Sequence, residues 1–356
     1  MIRSVVLGAL AALSVAAPAV AADGDWVSSN PQAAGMDPVA VQAALDWAGA
    51  HNSTGVVILR GGKLVAEQYW QGWDKEKADN IYSASKSVTS TLVALAIQDG
   101  FIKNVDESAA DFVPAWKGTP KAAITLRHML SMTSGLRVIP AGGPKPGDDL
   151  FTETAAQPQE HAPGTYWVYN TPAYRMLVRI VENAVHEPVE KYMERRLTGP
   201  LGMTHTRWQT SPAPGGVNNY YWLEASTRDM ARFGVFAAHK GRWNGRQILP
   251  AAWFAEATKP SQDLNRAYGY LWWLNGQTTY MLPALRPAVL QGQLWPECPP
   301  DMFAALGAAD KKIYIVPSLD LVVARHGGAA EPGGGGGMHG GLDKAFMGRI
   351  CQAVKR

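Results

Sequence analysis

The chain has 356 residues, 47% of them in the hydrophobic class and 18% charged, with 33 Lys and Arg against 30 Asp and Glu for a net charge of +3. This is the composition of an ordinary globular protein with ample material for a core, long enough for two domains or for one domain with a large insertion. The charge balance is too even to argue for a nucleic-acid partner, and no basic block or arm is present.

The N-terminal stretch MIRSVVLGALAALSVAAPAVAA has a positive start at Arg3, an apolar run over residues 5–17, and small residues with an A-x-A pattern at Ala19, Val20 and Ala21. That layout predicts a secretory signal over residues 1–22, and the run is short of the ~20 apolar residues that span a bilayer. Residues 38–50 predict a helix. Residues 55–60 and 63–70 are β-rich and flank Gly61-Gly62, a hairpin signal. Residues 87–99 predict a strong helix with Val88, Leu92, Leu95 and Ala96 on one face and Gly100 as its stop. Helices are also predicted at 127–132, 174–184 and 229–239. Strand signals return at 268–274, and at 312–316 and 319–325 around the turn pair Pro317-Ser318. Residues 342–354 predict a last amphipathic helix.

Strands at both ends with helices between predict an α/β fold. One antiparallel sheet is built from both chain ends and flanked by helices, with a helical insert. The expected division is an α/β part over 30–110 and 261–356 and an insert over 111–260, with a site in the cleft between them. Cys298 and Cys351 are the only cysteines; they form one disulfide in an oxidising compartment or remain two separate thiols, a choice the sequence leaves open. There is no Cys/His cluster of zinc-site spacing, no HExxH and no P-loop, so neither metal nor cofactor is expected. The glycine run 333–337 reads as a flexible loop.

The sharpest chemical signal is Ser83-Ala84-Ser85-Lys86 at the start of the strong helix. It is the only S-x-x-K in the chain. Residues three apart share a helix face, so a hydroxyl can meet an amine that removes its proton. The free N–H groups of a helix start favour developing negative charge and disfavour an ammonium. A lysine starts near ~10.4 and must fall towards ~7–8 to act as a base at neutral pH. The alternative is a simple helix cap beside a solvated lysine. A second signal is the Pro-Gly turn at 163–164 leading to Tyr169-Asn170, where a tyrosine beside a neutral lysine would share the proton work. No G-x-S-x-G elbow seats a Ser-His-Asp triad, and no carboxylate pair has a glycosidase spacing.

These segments, in order, resemble the serine β-lactamase-related hydrolases, a family that includes class C β-lactamases, D-alanyl-D-alanine carboxypeptidases, some esterases and 6-aminohexanoate-dimer hydrolases. The resemblance covers residues 53–327. It rests on IYSASK at 81–86, ITLRHMLSMTSGL at 124–136, the stretch 163–170, PLGM at 200–203, STRDMARFG at 226–234 and YGYLWW at 268–273. It implies Ser83 as nucleophile, Lys86 as base and Tyr169 as acid/base partner. The Ser83 N–H and an N–H from a late strand would form the oxyanion hole.

Two departures bear on substrate. The second motif reads Tyr-Asn-Thr rather than Tyr-x-Asn, which sets Asn170 one place early. No K-T-G or K-S-G exists, and its expected place reads Leu306-Gly307-Ala308-Ala309-Asp310-Lys311. Asn170, Asp310 and the backbone of Ala309 are the expected substrate contacts. Loss of the cationic lysine argues against efficient penicillin hydrolysis and towards another small ester, amide or peptide. Trp70, Trp73, Trp167, Trp272 and Trp273 either line an apolar cleft or belong to the core. The rival reading from another class is a non-catalytic module that binds cell-wall fragments.

Overall fold

The computed structural model describes residues 26–138, 149–212, 218–284, 286–331 and 342–355. The expected signal segment and the glycine run 333–337 lie outside the described residues.

Gly61 and Gly62 both take positive φ, 59° and 69°, as a tight hairpin between two twisted strands requires. They join β1 (Ser53–Arg60) to β2 (Lys63–Tyr69). A three-residue strand, β3 (Ala78–Asn80), follows and leads to the helix α2 (Ser85–Gln98), which begins just after Ser83. After the middle of the chain come β6 (Trp273–Leu274), β7 (Phe303–Gly307), β8 (Lys311–Val316) and β9 (Leu321–Gly327). Together with the first hairpin they form one antiparallel sheet in the order β2-β1-β9-β8-β7-β6. The first and last strands of the chain are thus neighbours, with Val57 opposite Ala324 and Ile58 opposite Val323.

The central strands carry continuous apolar runs because both faces of the sheet are covered. The helix α1 (Pro38–Ala50), capped by the Asp37 carboxylate, packs on β1 and on the last helix, Gly348–Ala353. On the other side lies α4 (Thr227–Ala238), which packs on β9, β8 and β1. A Cβ on Gly234 would come within 2.6 Å of Val322, so the close approach of this helix needs the glycine. By packing, α4 belongs to the sheet although its sequence position is within the span expected as insert.

The middle of the chain is not purely helical. The strands β4 (Arg207–Pro212) and β5 (Asn218–Ser226) pair with β3 in the order β3-β5-β4. Of the expected strand at 268–274 only Trp273–Leu274 joins the sheet, beside β7, because Leu271 adopts a left-handed φ of 61° and the chain folds back so that Tyr268 bridges Trp273. The helix α2 begins two residues earlier than expected, and most of its residues are buried all round, not on one face. It sits between β7 and α3 (Thr171–Val185), at the junction of sheet and middle segment. Cys298 and Cys351 are joined in a disulfide.

Candidate active site

Ser83 lies in a 3-10 turn, Tyr82–Ala84, that runs directly into α2. Side chains three apart eclipse in such a turn, so Ser83 and Lys86 project to the same side. The Lys86 Nζ stands 3.0 Å from the Ser83 Oγ. Lys86 is buried and, among the described residues, no carboxylate pairs with it. Burial, and then the nearby positive charge of Arg175, hold its pKa well below the ordinary lysine value. The turn shapes the backbone around Ser83: the Ala84 N–H reaches the Ile81 carbonyl, the Ser85 N–H the carbonyls of Tyr82 and Ser83, and the Tyr82 N–H the Asn80 Oδ1 at 2.7 Å.

Tyr169 comes to Ser83 from the other side. Its backbone is anchored upstream, where the Val168 N–H reaches the Met132 carbonyl and the Gly164 N–H reaches that of Thr133. Gly135, at φ 75°, lets this segment approach the His161 carbonyl, which a Cβ would meet at 2.0 Å. The Tyr169 ring stacks on Trp273 at 5.9 Å and meets the edge of Tyr268 at 6.2 Å. Its hydroxyl is buried and faces Ser83 without reaching hydrogen-bonding geometry. Burial raises its pKa far above the ordinary tyrosine value, and the Ser83 hydroxyl offsets part of that rise. Contacts of this kind commonly tighten once substrate is bound.

Two of the expected substrate contacts, the side chains of Asn170 and Asp310, are engaged within the protein. Asn170 is the N-cap of α3: its Oδ1 accepts from the Ala173 N–H at 3.1 Å and its Nδ2 donates to the Leu136 carbonyl at 3.1 Å. Both ends of the amide are used within the protein. The Asp310 carboxylate is also turned inward. Its Oδ2 accepts from the Ala330 N–H at 3.0 Å and its Oδ1 lies 3.3 Å from the Lys312 Nζ. The buried Arg325 donates to the carbonyls of Ala309 and Asp310 at 3.2 and 2.8 Å, which fixes two successive residues at positive φ, 54° and 56°. Ala309 and Asp310 thus form a rigid turn after β7 in which the Ala309 carbonyl and the Asp310 carboxylate are engaged within the protein.

What brings this turn to Ser83 is Gly307. A Cβ there would lie 2.2 Å from the Ile81 carbonyl oxygen and 3.3 Å from the Ala84 nitrogen, so the end of β7 touches the backbone on both sides of Ser83. Lys311 offers no substitute for the missing motif lysine, because its Nζ donates to the Gly327 carbonyl and lies 3.4 Å from Asp79. Trp167, Trp272 and Trp273 are core residues, Trp273 backing Tyr169, while Trp70 and Trp73 are half-buried.

One neighbour was not singled out from the sequence. Tyr174, on α3, bonds the Ser85 hydroxyl at 2.9 Å and lays its ring 4.1 Å from the Lys86 Nζ, opposite the Tyr169 ring at 4.8 Å. The available signal was helical spacing: Tyr174 shares the buried face of α3 with Leu177, Val178 and Val181. No group of three metal-ligating side chains, and no helix long and apolar enough to cross a membrane, occurs among the described residues.

The chain is similar to known proteins over most of its length. It is 26% identical over 309 residues to an uncharacterized protein of Alkalihalophilus pseudofirmus, a match covering 76% of this chain and 82% of that protein. Among solved structures it resembles a Bacillus anthracis protein provisionally described as a 6-aminohexanoate-dimer hydrolase, with a TM-score of 0.70, 17% identity, and 92% of this chain and 86% of that one covered. It also resembles a β-lactamase/D-alanine carboxypeptidase of Pseudomonas syringae, with a TM-score of 0.66, 17% identity, and 89% and 99% covered. The family model described as Beta-lactamase matches residues 39–334. With that match across the sheet, the helix α2 and the middle segment, the chain belongs to the β-lactamase family of serine hydrolases.

Proposed function

We propose that this protein cleaves an ester or amide through an acyl-enzyme at Ser83, with Lys86 as base and Tyr169 as acid/base partner. The observation that carries the reading is an unpaired, buried amine 3.0 Å from a hydroxyl at a helix start. A neutral Lys86 accepts the Ser83 proton as Oγ bonds to the substrate carbonyl carbon, and the carbonyl electron pair moves to oxygen. That oxyanion is received by the Ser83 N–H and an N–H of the turn after β7. The proton then reaches the leaving group by way of Tyr169, and water releases the acyl group along the same route in reverse.

The substrate class follows from what the site lacks. With Lys311 committed to Gly327 and Asp79, the described residues offer no lysine in the place that would grip a β-lactam carboxylate. This favours an ester, while a 6-aminohexanoate-type amide, which ends in a carboxylate of its own, is favoured by the Bacillus anthracis neighbour. β-Lactamase or D-alanyl-D-alanine carboxypeptidase activity is the second reading, favoured by the Pseudomonas syringae neighbour. The predicted signal segment and the disulfide both support a periplasmic or secreted location.

The test is labelling by a fluorophosphonate probe, with turnover of short-chain p-nitrophenyl esters beside nitrocefin. Wild type is expected to label and to turn over esters, while Ser83→Ala fails to label and Ser83→Ala and Lys86→Ala each lose about 10³-fold or more in kcat/KM. Equal labelling of wild type and Ser83→Ala rejects the nucleophile. Fast nitrocefin turnover with silent esters selects the second reading.

A further inference from the structure

When Lys86 takes the Ser83 proton it becomes an ammonium in a buried place and, among the described residues, without a carboxylate partner. An isolated buried charge is costly, so something must receive it. The groups that face the Nζ are the Ser83 hydroxyl and two aromatic rings, Tyr169 at 4.8 Å and Tyr174 at 4.1 Å from the ring centres. Both lie within the distance at which a ring face attracts a cation. Arg175 on α3 adds positive charge nearby, Tyr268 stands behind Tyr169, and β7, packed on the same helix, brings no titratable side chain.

We propose that the ring faces of Tyr169 and Tyr174 take the place of a counter-anion for the ammonium formed on Lys86, which makes Tyr174 a positioning residue that acts on Ser83 through Lys86. This rests on the assignment of Lys86 as the base. A carboxylate in the same place would hold the lysine charged at rest and useless as a base. A ring attracts a cation more weakly, so the amine stays neutral until it receives the proton and is then stabilised. The proton leaves the Ser83 Oγ, the Oγ–carbon bond forms, and the positive charge on Lys86 between the rings balances the negative charge on the substrate oxygen. Tyr174 is held for this task by its hydroxyl contact to Ser85, the residue between the nucleophile turn and the lysine.

The test varies the ring's charge distribution and keeps its shape. Tyr174→Phe serves as reference, followed by mono-, di- and trifluorinated phenylalanine at position 174 in the full chain. Tyr174→Phe and every fluorinated ring lack the Ser85 contact alike, so the series is compared with Tyr174→Phe and not with wild type. Each fluorine then lowers kcat, reaching about tenfold or more at three, with KM little changed. The titration of Lys86, followed by NMR of a carbon-13 label on its terminal methylene, moves to lower pH in the same order, because a weaker ring attracts the ammonium less. A flat series in rate and titration overturns the proposal, as does a Tyr174→Phe loss equal to that of the trifluorinated ring, which would assign the effect to the Ser85 contact. Tyr174→Leu adds a ring-free limit, and the fluorinated series decides if that variant does not fold. If wild type neither labels nor turns over any ester, the hydrolase reading fails separately. The Lys86 titration still decides the ring contact: movement with fluorination supports it, and a fixed titration overturns it.

Discussion

A lysine that must accept a proton has to be uncharged where water would otherwise keep it charged, and Lys86 meets that condition through burial first and Arg175 second. The same arrangement costs stability. The folded chain titrates Lys86 below its ordinary value of 10.5, so between the two pKa values the unfolded chain holds the extra proton. Lys86 therefore makes the folded state less stable as pH falls through that interval, and the full cost is present below its folded pKa. Lys86→Met, of similar length and without charge, is expected to abolish ester turnover and to raise stability at pH 7 by on the order of 1 kcal/mol. Denaturant unfolding at pH 7 and pH 10 should show the gain shrinking at the higher pH. A variant less stable than wild type at both values would mean that packing, not charge, dominates at this position.

Two elements meet Ser83 through their ends, and in each a residue expected to touch substrate holds the element in place. Asn170 closes the first turn of α3, one residue after Tyr169, and ties that turn to the segment at Leu136. Asn170→Ala removes the cap acceptor and leaves the Leu136 carbonyl short of a donor, so a stability loss of about 1–2 kcal/mol is expected, read by denaturant unfolding, with Ser83 still labelled by the probe. A rise in KM with unchanged stability would return Asn170 to substrate binding. The turn after β7 follows the same logic: Arg325 and the Asp310–Lys312 ion pair hold two left-handed residues next to Gly307, whose missing side chain lets the strand reach Ser83.

In the whole molecule, the sheet closes the chain on itself, and the disulfide fixes the last helix to the loop that enters β7. Cys298 and Cys351 are 53 residues apart, so cross-linking them removes considerable freedom from the unfolded chain. Replacing both with Ser is expected to cost about 2–4 kcal/mol and to lower the melting temperature by roughly 5–10 °C. Thermal melts of the wild type with and without reductant should show the same difference; melts that coincide would mean that the bond does not form in the isolated protein. Beneath the sheet, Asp343 accepts from Tyr314 at 2.7 Å and from Trp295 at 3.1 Å and pairs with Lys312 at 3.3 Å, a buried charged set that links the last helical segment to β8.

By itself the sequence determined the family, the fold class, the hairpin at Gly61-Gly62 and the spacing of Ser83 and Lys86. These are set by local rules, in which periodicity, turn chemistry and a three-residue offset need no distant partner. Only the tertiary structure decided the rest. Whether Asn170 and Asp310 face a ligand or the protein depends on Leu136, Ala330 and Lys312, which are far away in sequence. The pairing of Cys298 with Cys351, the short strand β7 and the place of Tyr174 against Lys86 are likewise set by packing across the fold. A side chain's chemistry can be read from its identity, but its solvation and its partners come from segments that meet only when the two ends of the chain join in one sheet.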